Sequence, residues 1–310
     1  MSPLDPKNSN FASLRSTPKT IVITGGSSGI GLATATLLSS LNASHNLVLL
    51  DLQPPPPSFS HGSSHVLFLQ CDVTSWTSQR DAFEQAHQRF GRLDMVFVNA
   101  GIMEYRDQFF TDDLDASGKL APPDHRTLTV DINAASSTTK LAIHYLKKNG
   151  KEGGSIILTA SVAGYLGTTG APLYTAAKHG VVGLVKSLKA ETAKVGISIA
   201  CVAPGITVTP MINHSENVPK ERTPEETAKN MVNAGVAINK VESIALAVCF
   251  LLNEGAKANG SGIMVQNDMF HDVEKGLATS RASWMGQEML DAFRGGRKSN
   301  VFDMPSRAKM

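Results

Sequence analysis

The sequence predicts an α/β chain, a single doubly wound domain built on a parallel seven-stranded sheet, and three observations carry that prediction. Strand-like apolar runs recur at 20–24, 47–51, 66–70, 94–98, 155–160, 197–203 and 262–266, separated mostly by segments of helical length and pattern. The first run passes at once into a glycine turn, GGSSGIG over Gly25–Gly31, and helical apolar spacing resumes from Leu32 to Leu41. The second run, NLVLLD, ends in an acid, Asp51, which lies 20 residues beyond Gly31.

The turn has a physical use. Backbone N–H groups at a helix N-terminus are unpaired and sit at the positive end of the helix dipole, and glycines without Cβ let a phosphate come close to them. An acid closing the second strand about 20 residues later is where an adenosine ribose would find its acceptor. After that strand, QPPPPSFSHGSSH (53–65) must be an exposed irregular loop, since consecutive prolines sustain neither helix nor central strand. Residues 103–123 and 205–238 are long connections following strands four and six, and long connections at strand carboxyl ends are where open α/β sheets bind ligands. The second is the better candidate for a substrate lid. The domain is expected over 18–270, after a disordered leader at 1–17 and before a C-terminal extension, 271–310, with an amphipathic helix near 281–294.

Composition narrows the partners. The 310 residues are 42% hydrophobic and 18% charged, with 29 Lys plus Arg against 27 Asp plus Glu, so charge gives no case for nucleic acid or an anionic membrane surface. Cys71, Cys201 and Cys249 lie far apart in apolar runs and read as reduced core thiols, with no metal site. The longest apolar run, IALAVCFLL (244–252), is too short to span a bilayer, and the first 19 residues hold no signal-peptide core. A cytoplasmic protein is expected. The final Ala308-Lys309-Met310 resembles a relaxed Ser-Lys-Leu address, which makes the peroxisome a minority alternative.

The chemistry concentrates in SIILTASVAGYLGTTGAPLYTAAKHGVVGL, Ser155–Leu184. Ser161 follows a buried strand, whereas Tyr174 and Lys178, four apart at the start of a helix, project from one face. An ammonium beside a phenol favours the phenolate and makes tyrosine a usable base. Taken singly, Ser161 reads equally as a turn cap, Tyr174 as a half-buried core residue and Lys178 as a surface charge. Behind a dinucleotide turn the three together point to hydride transfer at an alcohol carbon, with Tyr174 taking the hydroxyl proton and Ser161 holding the substrate oxygen. Asp51 would accept hydrogen bonds from both ribose hydroxyls of NAD and repel the 2′-phosphate of NADP, and neither DLQPPPP nor GGSSG offers a cation against that repulsion, so NAD is favoured over NADP.

With these residues in view, about 18–268 resembles the short-chain dehydrogenase/reductase family. Its Thr-Gly-x-x-x-Gly-x-Gly pattern appears as Thr24, Gly25, Gly29 and Gly31, its strand-four Asn-Asn-Ala-Gly as VNAG (Val98–Gly101) and its Tyr-x-x-x-Lys as YTAAK. The resemblance implies a Rossmann domain and a catalytic set of Asn133 (from VDINAAS), Ser161, Tyr174 and Lys178, with Asn133 supporting a water-mediated proton path and Lys178 also binding the nicotinamide ribose. It implies cofactor contacts from Gly25, Ser27, Ser28 and Ile30 of the turn, from Asp51, from Asp72 and Val73 on the adenine side, from Asn99, Ala100 and Gly101, and from Pro204, Thr207 and Thr209 of PGITVTPM. Val98 replaces the first family Asn, which puts one supporting hydrogen bond in doubt, while Asn99 remains for the adenosine ribose. HVLFLQCDVTS, GRLDMVFVNAG and AAKHGVVG are similar to the branch holding 15-hydroxyprostaglandin dehydrogenase and fungal secondary-metabolite dehydrogenases.

The leading expectation is an NAD-dependent dehydrogenase oxidising a small apolar secondary alcohol to a ketone. The alternatives are an NADPH-linked ketoreductase of an apolar or polyketide-like ketone and a nucleotide-binding regulatory protein without turnover. The family further implies a homodimer or homotetramer, paired through helices expected over 124–149 and 172–195. Met103, Tyr165, Leu166, Met211 and Ile212 read equally as lining of an apolar pocket or as core.

Overall fold

The computed structural model describes residues 6–213 and 222–296. Strands β1 (Thr20–Thr24), β2 (Asn46–Asp51), β3 (Val66–Gln70), β4 (Met95–Val98), β5 (Gly154–Thr159), β6 (Ile197–Pro204), β7 (Gly262–Gln266) and β8 (Met269–Asp272) form one sheet in the order β3-β2-β1-β4-β5-β6-β7-β8. The first seven pair in parallel, as expected; Val22, for example, sits between Val48 of β2 and Val96 of β4. Strand order reverses between β1 and β4, which makes the carboxyl ends of these two strands the topological switch point where such sheets hold ligands.

The helices are α1 (Ala12–Ser16), α2 (Gly29–Leu41), α3 (Trp76–Phe90), α4 (Arg126–Leu128), α5 (Ala135–Leu146), α6 (Pro172–Ala193), α7 (Pro224–Asn233), α8 (Val241–Glu254), α9 (Val273–Thr279), α10 (Arg281–Met285) and α11 (Gln287–Gly296). A π-helical turn, Thr129–Ala134, joins α4 to α5. Successive Cβ atoms of a strand face opposite ways, so each strand feeds two cores. Val22, Val48, Val96 and Ile156 pack with Phe83 of α3 and Val182 of α6. Ile21, Ile23, Leu47, Leu49 and Phe97 pack on the other face with Leu38 of α2 and Val248 of α8. Burial on both faces is why these strands read as near-continuous apolar runs.

Three expectations need correction. The leader is ordered from Pro6 onward: Leu14 of α1 is fully buried in the α2/α8 core, and the N–H groups of Ser13 and Leu14 both donate to Asn253 Oδ1 (3.0 and 3.4 Å). Phe11 and Leu14 are both buried, and a count of polar residues and prolines hides them. The sheet has an eighth strand. Asn267 and Asp268 have φ of 51° and 56°, the left-handed pair of a two-residue hairpin turn, and they fold β8 antiparallel onto the edge of β7. The helix expected near 281–294 is two helices, divided at Gly286 with φ 78°.

The 53–65 loop is irregular, but its far end is fastened. His61 donates from Nε2 to the His45 carbonyl (2.8 Å) while its Nδ1 accepts from Ser39 Oγ (2.6 Å), and His65 Nδ1 lies 2.8 Å from Asn46 Oδ1. Residues 205–238 carry α7, with Thr223 and Glu226 in a reciprocal capping box. Among the described residues no helix is long and apolar enough to cross a membrane. Ala308-Lys309-Met310 and part of the 205–238 segment lie outside the described residues.

Candidate active site

The turn between β1 and α2 is shaped by what its glycines lack. Gly25 and Gly29 take left-handed φ of 63° and 49°. A Cβ on Gly31 would overlap the Gly25 carbonyl oxygen and stand 2.9 Å from Asn99 Nδ2. Only glycine lets the helix start this close to the strand end. Asn99 locks the arrangement from β4: its Nδ2 donates to the carbonyls of Thr24 (3.1 Å) and Gly25 (3.2 Å), and its Oδ1 accepts from Thr159 Oγ1 (3.0 Å). Thr24 Oγ1 in turn accepts the N–H groups of Asn99 and Ala100 (2.9 and 3.1 Å). The Asn99 amide is thus engaged by protein at both ends, and the ends of β1, β4 and β5 are tied together without the asparagine that Val98 replaces.

Asp51 meets the turn directly. Its Oδ2 accepts the Ser27 N–H (2.9 Å) and its Oδ1 the Leu52 N–H (2.7 Å), while the buried Ser27 Oγ has no hydrogen-bond partner. Ser28 is exposed and Ile30 half-buried at the start of α2. Thr209, brought in by the segment after β6, lies with Cβ and Cγ2 3.3 Å from where a Cβ of Gly29 would be. Pro204 and Thr207 are buried along the same segment. Asp72 is exposed and turns its Oδ1 to the N–H and hydroxyl of Thr74 (2.8 and 2.7 Å), with Val73 half-buried beside it.

Ser161, Tyr174 and Lys178 converge at the end of β5. Ser161 Oγ accepts the Ala163 N–H (3.1 Å), capping the short turn Val162–Gly164, and donates to the Pro204 carbonyl (3.3 Å). Tyr174 and Lys178 are one turn apart on α6, with Lys178 Nζ 5.4 Å from the centroid of the tyrosine ring. Lys178 is 4% exposed and donates to the carbonyl of Thr159, two residues before Ser161 (3.1 Å). It does not stand as a lone ammonium. Asp131 Oδ2 pairs with Nζ at 2.9 Å, and Asp131 Oδ1 accepts the Ile102 N–H at 2.7 Å. Burial works to lower the lysine's pKa, but the Asp131 carboxylate and Tyr174 outweigh it and hold the ammonium above the ordinary lysine range.

Asn133 is exposed on the π-helical turn, its carbonyl accepting Ser136 Oγ (2.7 Å). The residue of VDINAAS that reaches Lys178 is Asp131. Sequence reasoning passed over it, and over Glu104, whose Oε2 accepts the N–H groups of Leu173 and Tyr174. Neither residue stands out locally. Asp131 sits two positions from a motif asparagine, and Glu104 follows VNAGIM with nothing in the chain around it to announce a helix some 70 residues on.

Among the other candidates, Tyr165 turns its hydroxyl to Cys201 Sγ (3.7 Å), and burial pushes both groups' pKa values well up, so this tyrosine is core rather than pocket lining. Leu166 and Met211 are exposed; Met103 and Ile212 are half-buried. A cavity of about 210 Å³ lies beside Glu104, bounded also by Ile102, Tyr105 and Arg126, and is smaller than the usual small-molecule site. The three cysteines are free and buried, and no group of His, Cys, Asp or Glu among the described residues is arranged to hold a metal.

The geometry has counterparts. A family model described as short chain dehydrogenase matches residues 19–219. The chain is 33% identical to the short-chain dehydrogenase/reductase prx4 of Penicillium rubens, over 88% of this chain and 82% of that protein. It is 30% identical to the 5′-hydroxyaverantin dehydrogenase of Dothistroma septosporum, over 84% and 89%. Among solved structures, levodione reductase superposes with a TM-score of 0.64 at 26% identity, covering 80% of this chain and 96% of that one. A core sheet that reverses at a glycine turn, a tyrosine and lysine one helical turn apart beside a strand-end serine, and relatives matched over most of their length lead to one conclusion: the chain belongs to the short-chain dehydrogenase family, the NAD(P)-dependent oxidoreductases that act on CH–OH groups.

Proposed function

We propose that the protein is an NAD-dependent dehydrogenase that oxidises an apolar secondary alcohol to a ketone, with Asn133, Ser161, Tyr174 and Lys178 as its catalytic set. The observation that carries this reading is the Tyr174–Lys178 pair, ring and ammonium 5.4 Å apart, at the strand end that also bears Ser161. The residues around the β1–α2 turn fit a dinucleotide: left-handed glycines with no Cβ in the way, an orphaned Ser27 hydroxyl, and the Asp51 carboxylate closing β2. When bound, a nicotinamide accepts the hydride of the carbinol carbon, or donates one in the reverse direction.

The chain's own residues do the rest. Ser161 Oγ holds the substrate oxygen, and Tyr174 takes its proton as the carbonyl forms. Lys178, kept charged by Asp131, favours the phenolate before the transfer and remains a donor toward ribose hydroxyls. Asn133, exposed on its turn, gives the proton a way out to water. Asp51 accepts from ribose hydroxyls and repels a 2′-phosphate, which favours NAD. In this reading Gly25, Ser28, Ile30, Asp72, Val73, Asn99, Ala100, Gly101, Pro204, Thr207 and Thr209 supply the remaining cofactor contacts. The fungal relatives, one of them a dehydrogenase of 5′-hydroxyaverantin, support a secondary-metabolite alcohol as the substrate class. In this reading the enzyme is a homodimer or homotetramer paired through α5 and α6.

The test follows reduced cofactor by absorbance over a panel of secondary alcohols with NAD and with NADP. Turnover with NAD is expected, and Tyr174→Phe should lower kcat by at least about 100-fold while nucleotide binding stays within about twofold. Activity of Tyr174→Phe within about threefold of the parent would overturn the tyrosine's role, and a preference for NADP would overturn the reading of Asp51.

A further inference from the structure

We propose that Glu104 is a positioning residue that fixes Tyr174 for proton transfer by capping α6 from outside the helix. Helix α6 starts at Pro172, and the residue at its N-cap, Ala171, has no side chain to accept the helix's unpaired N–H groups. Leu173 and Tyr174 are the second and third helical residues, the two whose N–H groups an N-cap side chain ordinarily receives. Glu104 Oε2 receives both, at 2.9 and 3.1 Å, from the segment after β4. The residue is 8% exposed, and its Oε1 is buried without a hydrogen-bond partner.

Burying a carboxyl oxygen without a partner is costly, and here the group faces the positive end of the α6 dipole. The same short segment also holds the other end of the pair, because the Ile102 N–H is received by Asp131, which pairs with Lys178. Residues 102–104 therefore set α6 against the sheet at both Tyr174 and Lys178. Loss of the Glu104 contact would leave the first turn of α6 free to shift, and a displacement of about 1 Å at a reacting group can cost up to about 100-fold in rate.

The inference rests on Tyr174 acting as the proton acceptor, and the test separates the two claims. Kinetics are measured for Glu104→Ala and Glu104→Gln, each in the parent and in the Tyr174→Phe background. Glu104→Ala should lower kcat at least about tenfold with the KM for cofactor within about twofold, and Glu104→Gln, whose amide oxygen can accept the same two N–H groups, should return kcat to within about threefold. In the Tyr174→Phe background Glu104→Ala should cost less than about twofold, since the group it positions is gone. An equal loss in both backgrounds, or a kcat for Glu104→Ala within about twofold of the parent, would overturn the role of Glu104. Full activity of Tyr174→Phe would instead overturn the tyrosine's role. Should Glu104→Ala fail to fold, Glu104→Asp, which keeps the carboxyl group but withdraws its oxygens by one methylene, is judged by the same criteria.

Discussion

In the Gly25–Gly31 turn the constraint is steric and close at hand: a Cβ on Gly31 has nowhere to go because the Gly25 carbonyl is already there. The helix carrying Tyr174 and Lys178 is different, since its N-terminal N–H groups and its lysine are held by Glu104 and Asp131, which belong to other elements. One region takes its shape from absent atoms within seven residues, with Asn99 and Asp51 adding ties from neighbouring strands. The other is specified by two buried carboxylates that reach it only once the sheet is assembled. A change in the first should spoil a local shape, whereas a change in the second should leave a charge or a donor stranded.

The largest expected effect is on the second region. Asp131→Asn keeps an acceptor for the Ile102 N–H but leaves Lys178 as an uncompensated buried ammonium, which should cost about 3–5 kcal/mol of stability in urea titrations. The double variant Asp131→Asn/Lys178→Met should recover much of that loss without recovering turnover. A cost below about 1 kcal/mol for the single variant would mean that the pair contributes little to holding α6.

Gly31→Ala tests the first region. Overpacking of this kind costs about 1–3 kcal/mol, and because the strain falls on the turn itself, nucleotide binding measured by calorimetry should weaken by at least about tenfold. Unchanged affinity would show that the turn can relax around the methyl, and the contrast with α6 would lose its steric half.

The smallest effect concerns a buried group that is neutral. His45, between α2 and β2, accepts the Lys19 N–H at Nδ1 (3.0 Å), and burial, helped by the nearby His61 and Lys19, pushes its pKa down from 6.5 to about 4. The folded state therefore resists a proton that the unfolded chain takes up below pH 6.5. This contribution is complete above pH 6.5 and fades as pH falls toward 4, by about 1–3 kcal/mol in all. Stability measured across that window should fall less in His45→Gln than in the parent. Identical slopes would mean that other groups dominate the acid response.

What could be read without the fold was whatever local physics repeats along the chain. Apolar strand runs at regular spacing, glycines that must admit a backbone, an acid closing β2 and a tyrosine and lysine sharing one face of a helix are properties of neighbouring residues. They led to the seven parallel strands, to the turn and to a tyrosine and lysine side by side on α6. The edge hairpin was within reach of the same reasoning, since Asn-Asp between two short strands is a turn signal, but the polar tail obscured β8.

Tertiary structure decided the rest. Leu14 is one apolar side chain in a polar leader until α2 and α8 offer it a core. Asp131 and Glu104 look like any surface acids, because a carboxylate carries no mark of burial in its own neighbourhood. Only when β4 and the π-helical turn bring them against α6 do they acquire an ammonium and two backbone donors as partners. The sequence by itself determined where the strands, the glycine turn and the Tyr174–Lys178 helix face fall along the chain. How firmly those residues are held was left to long-range pairing, because desolvated charge interacts with whatever the assembled fold places within about 3–4 Å, regardless of its distance along the chain.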